Sequence, residues 1–191
     1  TGVASALHAQ VSNTVPGLLA GPYLQGVTRT GITVLWETEE PATTAVEYDV
    51  DREPATPGGT LASYGQKAAL GQRVEVLGLR QMHEVALTNL APRTSYLYRV
   101  RSRTEDGREL ASGVFTFQTA VESDDPFTFG VISDTQHPPV TKKLTELLFA
   151  QRPQFCIHAG DLEGGGAGDM DREWRERLLN PAAALMQRVA V

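Results

Sequence analysis

The hydrophobic rhythm of this chain changes once, near residue 126, and that change limits what it can fold into. Before it, apolar and polar residues alternate. Ile32, Val34 and Trp36 interleave with Thr33, Leu35 and Glu37, and Tyr96, Tyr98 and Val100 with Leu97, Arg99 and Arg101. Val85 and Leu87, then Phe115 and Phe117, repeat the pattern. A period of two marks strands with one face buried. Val46, Tyr48 and Val50 read as a further strand after a turn at Glu40-Pro41. Signals such as Thr56-Pro57-Gly58-Gly59, Ala91-Pro92-Arg93 and Glu105-Asp106-Gly107 separate the runs with no helical stretch among them, which predicts an antiparallel β-sandwich.

After Pro126 the pattern is of another kind. Phe127 to Ser133 is a nearly continuous apolar run, as in a strand buried on both faces. Thr141 to Gln151 carries Leu144, Leu147 and Leu148 at helical spacing. Phe155 to Ala159 reads as a second buried strand. Residues 169–188 read as two successive helices, with Asn180 as N-cap and Pro181 in the first turn of the second. Strand, helix, strand, helix implies parallel pairing. The expected organisation is a tail over 1–20, a sandwich over 21–120, a polar linker over 121–126 and a partial α/β unit over 127–191.

The 191 residues, 41% hydrophobic, suffice for such an arrangement. A net charge of −6 argues against a general nucleic-acid binder, whose phosphate contacts need a basic surface. No apolar run reaches the length of about 20 residues that spans a bilayer. The opening segment through Leu19 lacks the charged start and long apolar run of a signal peptide. A single cysteine, Cys156, excludes an internal disulfide framework and reads as a small apolar filler.

Both α/β strands finish on an aspartate: Val131-Ile132-Ser133-Asp134 and Ile157-His158-Ala159-Gly160-Asp161. Functional groups in open α/β sheets collect beyond the carboxyl ends of the strands. Neighbouring strands lie about 4.8 Å apart, so the two carboxylates can converge. Two close carboxylates repel, and a cation between them removes that penalty. Carboxylate oxygens with the Gln136 amide suit a hard or borderline metal.

These residues carry a resemblance. Asp134-Thr135-Gln136 followed by Gly160-Asp161 is similar to the first two blocks, Asp-X-His and Gly-Asp, of the calcineurin-like metallophosphoesterases. Upstream, Leu90-Ala91-Pro92-Arg93-Thr94-Ser95-Tyr96 has tyrosine-corner spacing and, with Trp36 as core anchor, resembles a fibronectin type III-like domain. Gly21-Pro22-Tyr23-Leu24-Gln25 and Gly31 to Trp36 are similar to the start of bacterial members of the purple acid phosphatase type.

The resemblance implies a metal-dependent phosphoesterase acting on phosphate mono- or diesters through two divalent or trivalent ions (Fe, Mn or Zn). Asp134 would bind the first, with Gln136 able to ligate beside it, and Asp161 would bridge both; apart from the resemblance, His137 before Pro138-Pro139 is placed to approach a substrate phosphate. The resemblance also implies a secreted or periplasmic protein. Gln136 stands where many relatives have histidine, and Gly164 where purple members have tyrosine, so the colour of those members is not expected. The family's later Gly-Asn-His and histidine blocks are missing from the chain, whose Arg188-Val189-Ala190-Val191 looks like the start of the next strand. The chain therefore reads as truncated and inactive by itself, with an exposed α/β surface prone to self-association.

Other readings stand beside these. Strand-end aspartates also cap helices or solvate loops, Gln136 can serve backbone, and His137 can be an exposed loop residue. His158 reads as a satisfied core residue, Gly164 to Gly168 as a lid or connector, and the charged residues from Asp169 to Arg177 as a solvated helix face. The rival function is a binding or adhesion module whose α/β remnant is inert.

Overall fold

The structure, a computed structural model, describes residues 15–52, 70–161 and 169–191. The turn expected at Thr56 to Gly59 and the glycine run at 164–168 lie outside the described residues. Six antiparallel strands come first: β1 (Leu18–Gln25), β2 (Ile32–Val50), β3 (Gln72–Leu87), β4 (Ser95–Arg103), β5 (Glu109–Ala111) and β6 (Phe115–Gln118). β1 begins inside the expected tail, at Leu18.

The turn expected at Glu40-Pro41 is not a turn. β2 runs unbroken through it, and its pairing shifts register between Glu37 and Ala42 and again before Thr44. The first half of β2 pairs with β1 and with the end of β3; the second half pairs with the start of β3 and with β4. Pro41, which has no N–H to give a ladder, sits where the strand passes between the two layers. The inner faces of both layers meet in one cluster. It joins Leu24, Val34, Trp36 and Val85 of the first layer to Val46, Tyr98, Val100 and Phe117 of the second. This is the expected sandwich.

Two devices fix it. Trp36 is fully buried, donates from Nε1 to Ser102 Oγ at 3.0 Å, and stacks on the His83 ring at 4.7 Å between centroids. At the tyrosine corner the Ala91 N–H donates to the Tyr96 hydroxyl at 2.9 Å. Gly21 has φ +92°, and a Cβ there would lie 2.9 Å from the Leu35 carbonyl oxygen, so only glycine lets β1 approach β2 this closely.

The stretch 121–126 is tied to the sandwich by Arg29–Glu122 at 2.9 Å and Arg93–Asp125 at 3.1 Å. There follow β7 (Phe129–Ile132), α1 (Pro138–Ala150), β8 (Phe155–His158), α2 (Met170–Trp174), a π-helical turn (Arg175–Leu179) and α3 (Ala183–Met186). β7 and β8 are parallel, and Ala190 adds a parallel bridge to Phe155. The fold is thus a β-sandwich followed by a partial α/β unit.

Three expectations for that unit need correction. Among the described residues, β7 and β8 are covered on one face only. Gly130 and Cys156 face Leu148, and Cys156 packs with Leu185 and Val189, while Phe129, Val131 and Ile157 on the other face are 50%, 60% and 47% exposed. Second, α1 starts at Pro138, with prolines in its first turn and His137 as its N-cap residue, so its first turn replaces the expected loop. Third, Asn180 does not cap α3. It closes the π-helical turn and donates from Nδ2 to the Leu19 carbonyl at 3.3 Å; the residue before α3 is Ala182.

Candidate metal centre

The register of β7 and β8 persists past the strands themselves. Ala159 N–H donates to the Ile132 carbonyl at 2.9 Å, and Asp134 N–H to the Gly160 carbonyl at 3.3 Å. The two strand-end loops therefore lie side by side. Both aspartates turn into the left-handed region, Asp134 at φ +55° and Asp161 at φ +57°, with Gly160 between strand and aspartate at φ +100°. Aspartate tolerates that region better than most residues, and an L-residue held there merits notice at a candidate site.

The carboxylates are exposed. Gln136 Nε2 donates to Asp161 Oδ1 at 2.5 Å, and Ser133 Oγ to Asp134 Oδ2 at 3.0 Å. The structure thus brings Gln136 and Asp161 into contact and sets Asp134 on the neighbouring loop. His137 is different. It is exposed, its carbonyl receives the first amides of α1, and among the described residues no hydrogen bond links its ring to either aspartate.

Two residues outside the expected set hold this loop. His158 Nδ1 accepts from Gly160 N–H at 3.1 Å, so in the neutral ring Nε2 carries the proton and meets Thr135 Oγ1 at 2.9 Å. Burial lowers the His158 pKa, opposed by the nearby Asp134 carboxylate. It is a satisfied residue, as read from the sequence, but it bridges the two strand ends. Arg177, from the π-helical turn, donates to the Gln136 carbonyl at 2.9 Å. Its neighbour Arg175 pairs with Glu37 of β2 at 2.8 Å, both side chains largely buried. The expected solvated face from Asp169 to Arg177 is corrected here: two of its arginines reach inward, and Asp169 caps α2 by accepting from Arg172 N–H. The only sequence signal was the basic residues at positions 175 and 177, with no indication of their partners.

Beside the strand ends lies a cleft of about 660 Å³, bordered by Tyr23, Glu37, Met82, His158 and Trp174. None of Asp134, Gln136, His137 and Asp161 lines it.

The donor set does not fit a pair of metal ions. Two carboxylates and an amide that turns its N–H toward one of them leave two cations short of ligands, and among the described residues no group of three or more His, Cys, Asp or Glu stands together. The oxygens present are of the hard type that such ions prefer.

Comparison with known proteins bears on the whole arrangement. No curated protein matches the chain. Among solved structures, one described as the structure of PhoD superposes with a TM-score of 0.59 at 13% identity, over 92% of this chain and 37% of the other. The purple acid phosphatase PPD1 from yellow lupin (Lupinus luteus) seeds superposes with a TM-score of 0.61 at 16% identity, over 88% of this chain and 33% of the other. At such identities the likeness is one of fold, and the chain spans about a third of the length of each. The model of the purple acid phosphatase N-terminal domain matches residues 22–119, more than half of the chain. The sandwich with its tyrosine corner is that domain, and the chain belongs to the purple acid phosphatase N-terminal domain family.

Proposed function

We propose that the chain is the leading part of a phosphoesterase of the purple acid phosphatase type, cleaving phosphate mono- or diesters in a metal-dependent reaction. One observation supports this most. Two aspartates in left-handed conformation stand side by side beyond adjacent parallel strands, directly after a sandwich of that family. Asn89, Arg93 and Arg152 hold the same conformation in connections between elements, so the weight of the observation lies in the pairing of the two aspartates at adjacent strand ends.

In this reading residues 21–120 form a brace, 121–126 a tied joint, and 127–191 the first part of the catalytic unit. Asp134, Gln136 and Asp161 would hold part of a shell for Fe, Mn or Zn, which would supply the activated water, and His137 at the head of α1 would lie on the substrate side. Among the described residues the donor set is incomplete, so the 191-residue chain is expected to be inactive by itself. The bare apolar face of β7 and β8 is the surface through which copies of this chain associate. The reading carries with it a secreted or periplasmic location.

Hydrolysis of p-nitrophenyl phosphate and of its diester, with added Mn²⁺, Fe³⁺ or Zn²⁺, tests this. The 191-residue chain is expected to show no turnover. The longer protein that contains it is expected to turn over, and Asp161→Asn to abolish that turnover. Undiminished turnover in Asp161→Asn overturns the assignment of Asp161, and no turnover by the longer protein favours a binding module.

A further inference from the structure

The π-helical turn at Arg175–Leu179 faces two ways. Its defining bond runs from the Asn180 N–H to the Arg175 carbonyl at 2.9 Å, five residues back. Side chains two apart on a helical turn point to nearly opposite sides, so Arg175 and Arg177 serve different neighbours. Arg175 Nη1 reaches Glu37 Oε1 of β2 at 2.8 Å, and Arg177 Nη1 donates to the Gln136 carbonyl at 2.9 Å. Turns of this kind interrupt regular helices and are frequent at functional sites.

The sandwich side of the turn is held at three points. Leu178 and Leu179 share one buried cluster with Ala20 and Tyr23 of β1. Asn180 Nδ2 donates to the Leu19 carbonyl at 3.3 Å. The Arg175–Glu37 pair keeps only 19% and 15% of its side chains exposed, so salt screens it less than a surface pair. Together these fix where the turn sits against β1 and β2, and hence where the stem of Arg177 begins.

The other side meets the strand-end loop. Glu173, one turn earlier, sets a carboxylate oxygen 3.5 Å from Arg177 Nε and steers the guanidinium. The neighbouring loop carbonyls are served by α1: that of Thr135 takes Thr141 Oγ1 at 3.0 Å, and that of His137 takes the amides of Val140 and Thr141 at 2.9 Å. The Gln136 carbonyl between them takes Arg177 instead, 41 residues further along the chain. From the same residue the Gln136 side chain donates to Asp161 Oδ1.

We infer that Arg177 is a positioning residue: anchored to the sandwich at Glu37 through the π-helical turn, it holds the Gln136 backbone so that the Gln136 side chain meets Asp161. The sandwich then helps to set the geometry of the strand-end loop. In its functional sense the inference rests on the reading of Gln136 and Asp161 as part of a phosphoesterase site.

The Gln136 side-chain amide resonances of the ¹⁵N-labelled 191-residue chain test it, because a fold that is merely less stable leaves native resonances where they are. Arg177→Met, which keeps the apolar stem and loses the donor, is expected to move them toward those of a free glutamine side chain. Arg177→Lys, which keeps a donor, is expected to restore them in part. Glu37→Gln, on the sandwich, is expected to move them in the same direction by less. Arg172→Met removes an exposed pair with Glu176 from the same helical segment and is expected to leave them in place. Unmoved resonances in Arg177→Met or in Glu37→Gln, or an equal movement in Arg172→Met, overturn the proposal. In the longer protein Arg177→Met is expected to lower kcat about tenfold with KM little changed. Absence of turnover by that protein without substitutions would sink the phosphoesterase reading, while the Gln136 resonances still decide whether Arg177 positions the loop.

Discussion

The Tyr98 hydroxyl, buried in the core of the sandwich, donates a 2.8 Å hydrogen bond to the backbone carbonyl of Gln187, just past α3. A strand of one unit thereby holds the last helix of the other. Burial pushes the phenol's pKa up, so it remains a donor at ordinary pH. Tyr98→Phe deletes one oxygen and withdraws that donor from a buried carbonyl. The expected cost is about 1 kcal/mol in urea unfolding, with faster amide exchange over residues 183–190 than elsewhere. Uniformly faster exchange would mean that the bond serves the sandwich alone.

His83 gives the sandwich a pH dependence. Its ring is buried against Trp36, meets Thr44 Oγ1 at Nδ1 (2.7 Å) and Thr38 Oγ1 at Nε2 (3.0 Å), and burial, with Arg80 adding to it, pushes its pKa down to about 4. In the unfolded chain the imidazole takes its proton near 6.5. Between those values the unfolded state binds the proton and the folded state does not, so stability is full above pH 6.5 and falls as pH drops toward 4. The loss attributable to this one group is about 3 kcal/mol. Urea unfolding from pH 7 to pH 4 checks it, with His83→Phe expected to show a shallower acid limb.

The left-handed backbone at Asp134 makes a separate prediction. If the residue is kept there for its carboxylate, the fold gains little from it. Asp134→Gly is expected to change stability by less than about 0.5 kcal/mol, since glycine adopts that conformation freely at an entropic cost of similar size. Asp134→Val, branched at Cβ, is expected to cost more than about 1 kcal/mol. Thermal melts of the two variants check this; a cost above about 1 kcal/mol for Asp134→Gly would mean that the Asp134 side chain stabilises the loop.

The exposed apolar face predicts solution behaviour. Phe127, Phe129 and Phe155 form a run of contacting rings, with Phe129 and Phe155 stacked at 5.5 Å, and Val131 and Ile157 continue the face. The 191-residue chain is expected to associate with concentration in sedimentation velocity, and Phe129→Thr with Val131→Thr to shift it toward monomer. An unchanged distribution places the contact elsewhere.

The sandwich was legible because its signals are local. A two-residue period at Ile32, Val34 and Trp36, and a proline, threonine and tyrosine within one turn of Tyr96, need no distant partner to be read. What was missed depended on distance. Pro41 reads as a turn residue, and only the paired strands show that β2 continues through it. The first half of β3 alternates Arg73 and Glu75 with the inward Val74 and Val76, but the pattern breaks at Leu77-Gly78-Leu79, where apolar residues are exposed. The apolar run at β7 encodes cover on both faces, of which the described residues provide one. At the candidate site Asp134, Gln136 and Asp161 could be picked out by their strand-end positions. Arg175 and Arg177 could not, since their partners lie 138 and 41 residues away.

The attachments between sandwich and α/β unit have one more consequence. Ion pairs pin the connecting segment, Arg188 lies between the rings of Phe115 and Phe149, and Val191 N–H reaches the Leu24 carbonyl. With anchors near residue 122 and near residue 190, the described part of the second unit has no free pivot. A swivel of one half against the other would have to break all of these at once, so whatever docks on the sandwich meets the strand ends at a set distance and angle, as an object fixed in a vice rather than swung on a hinge.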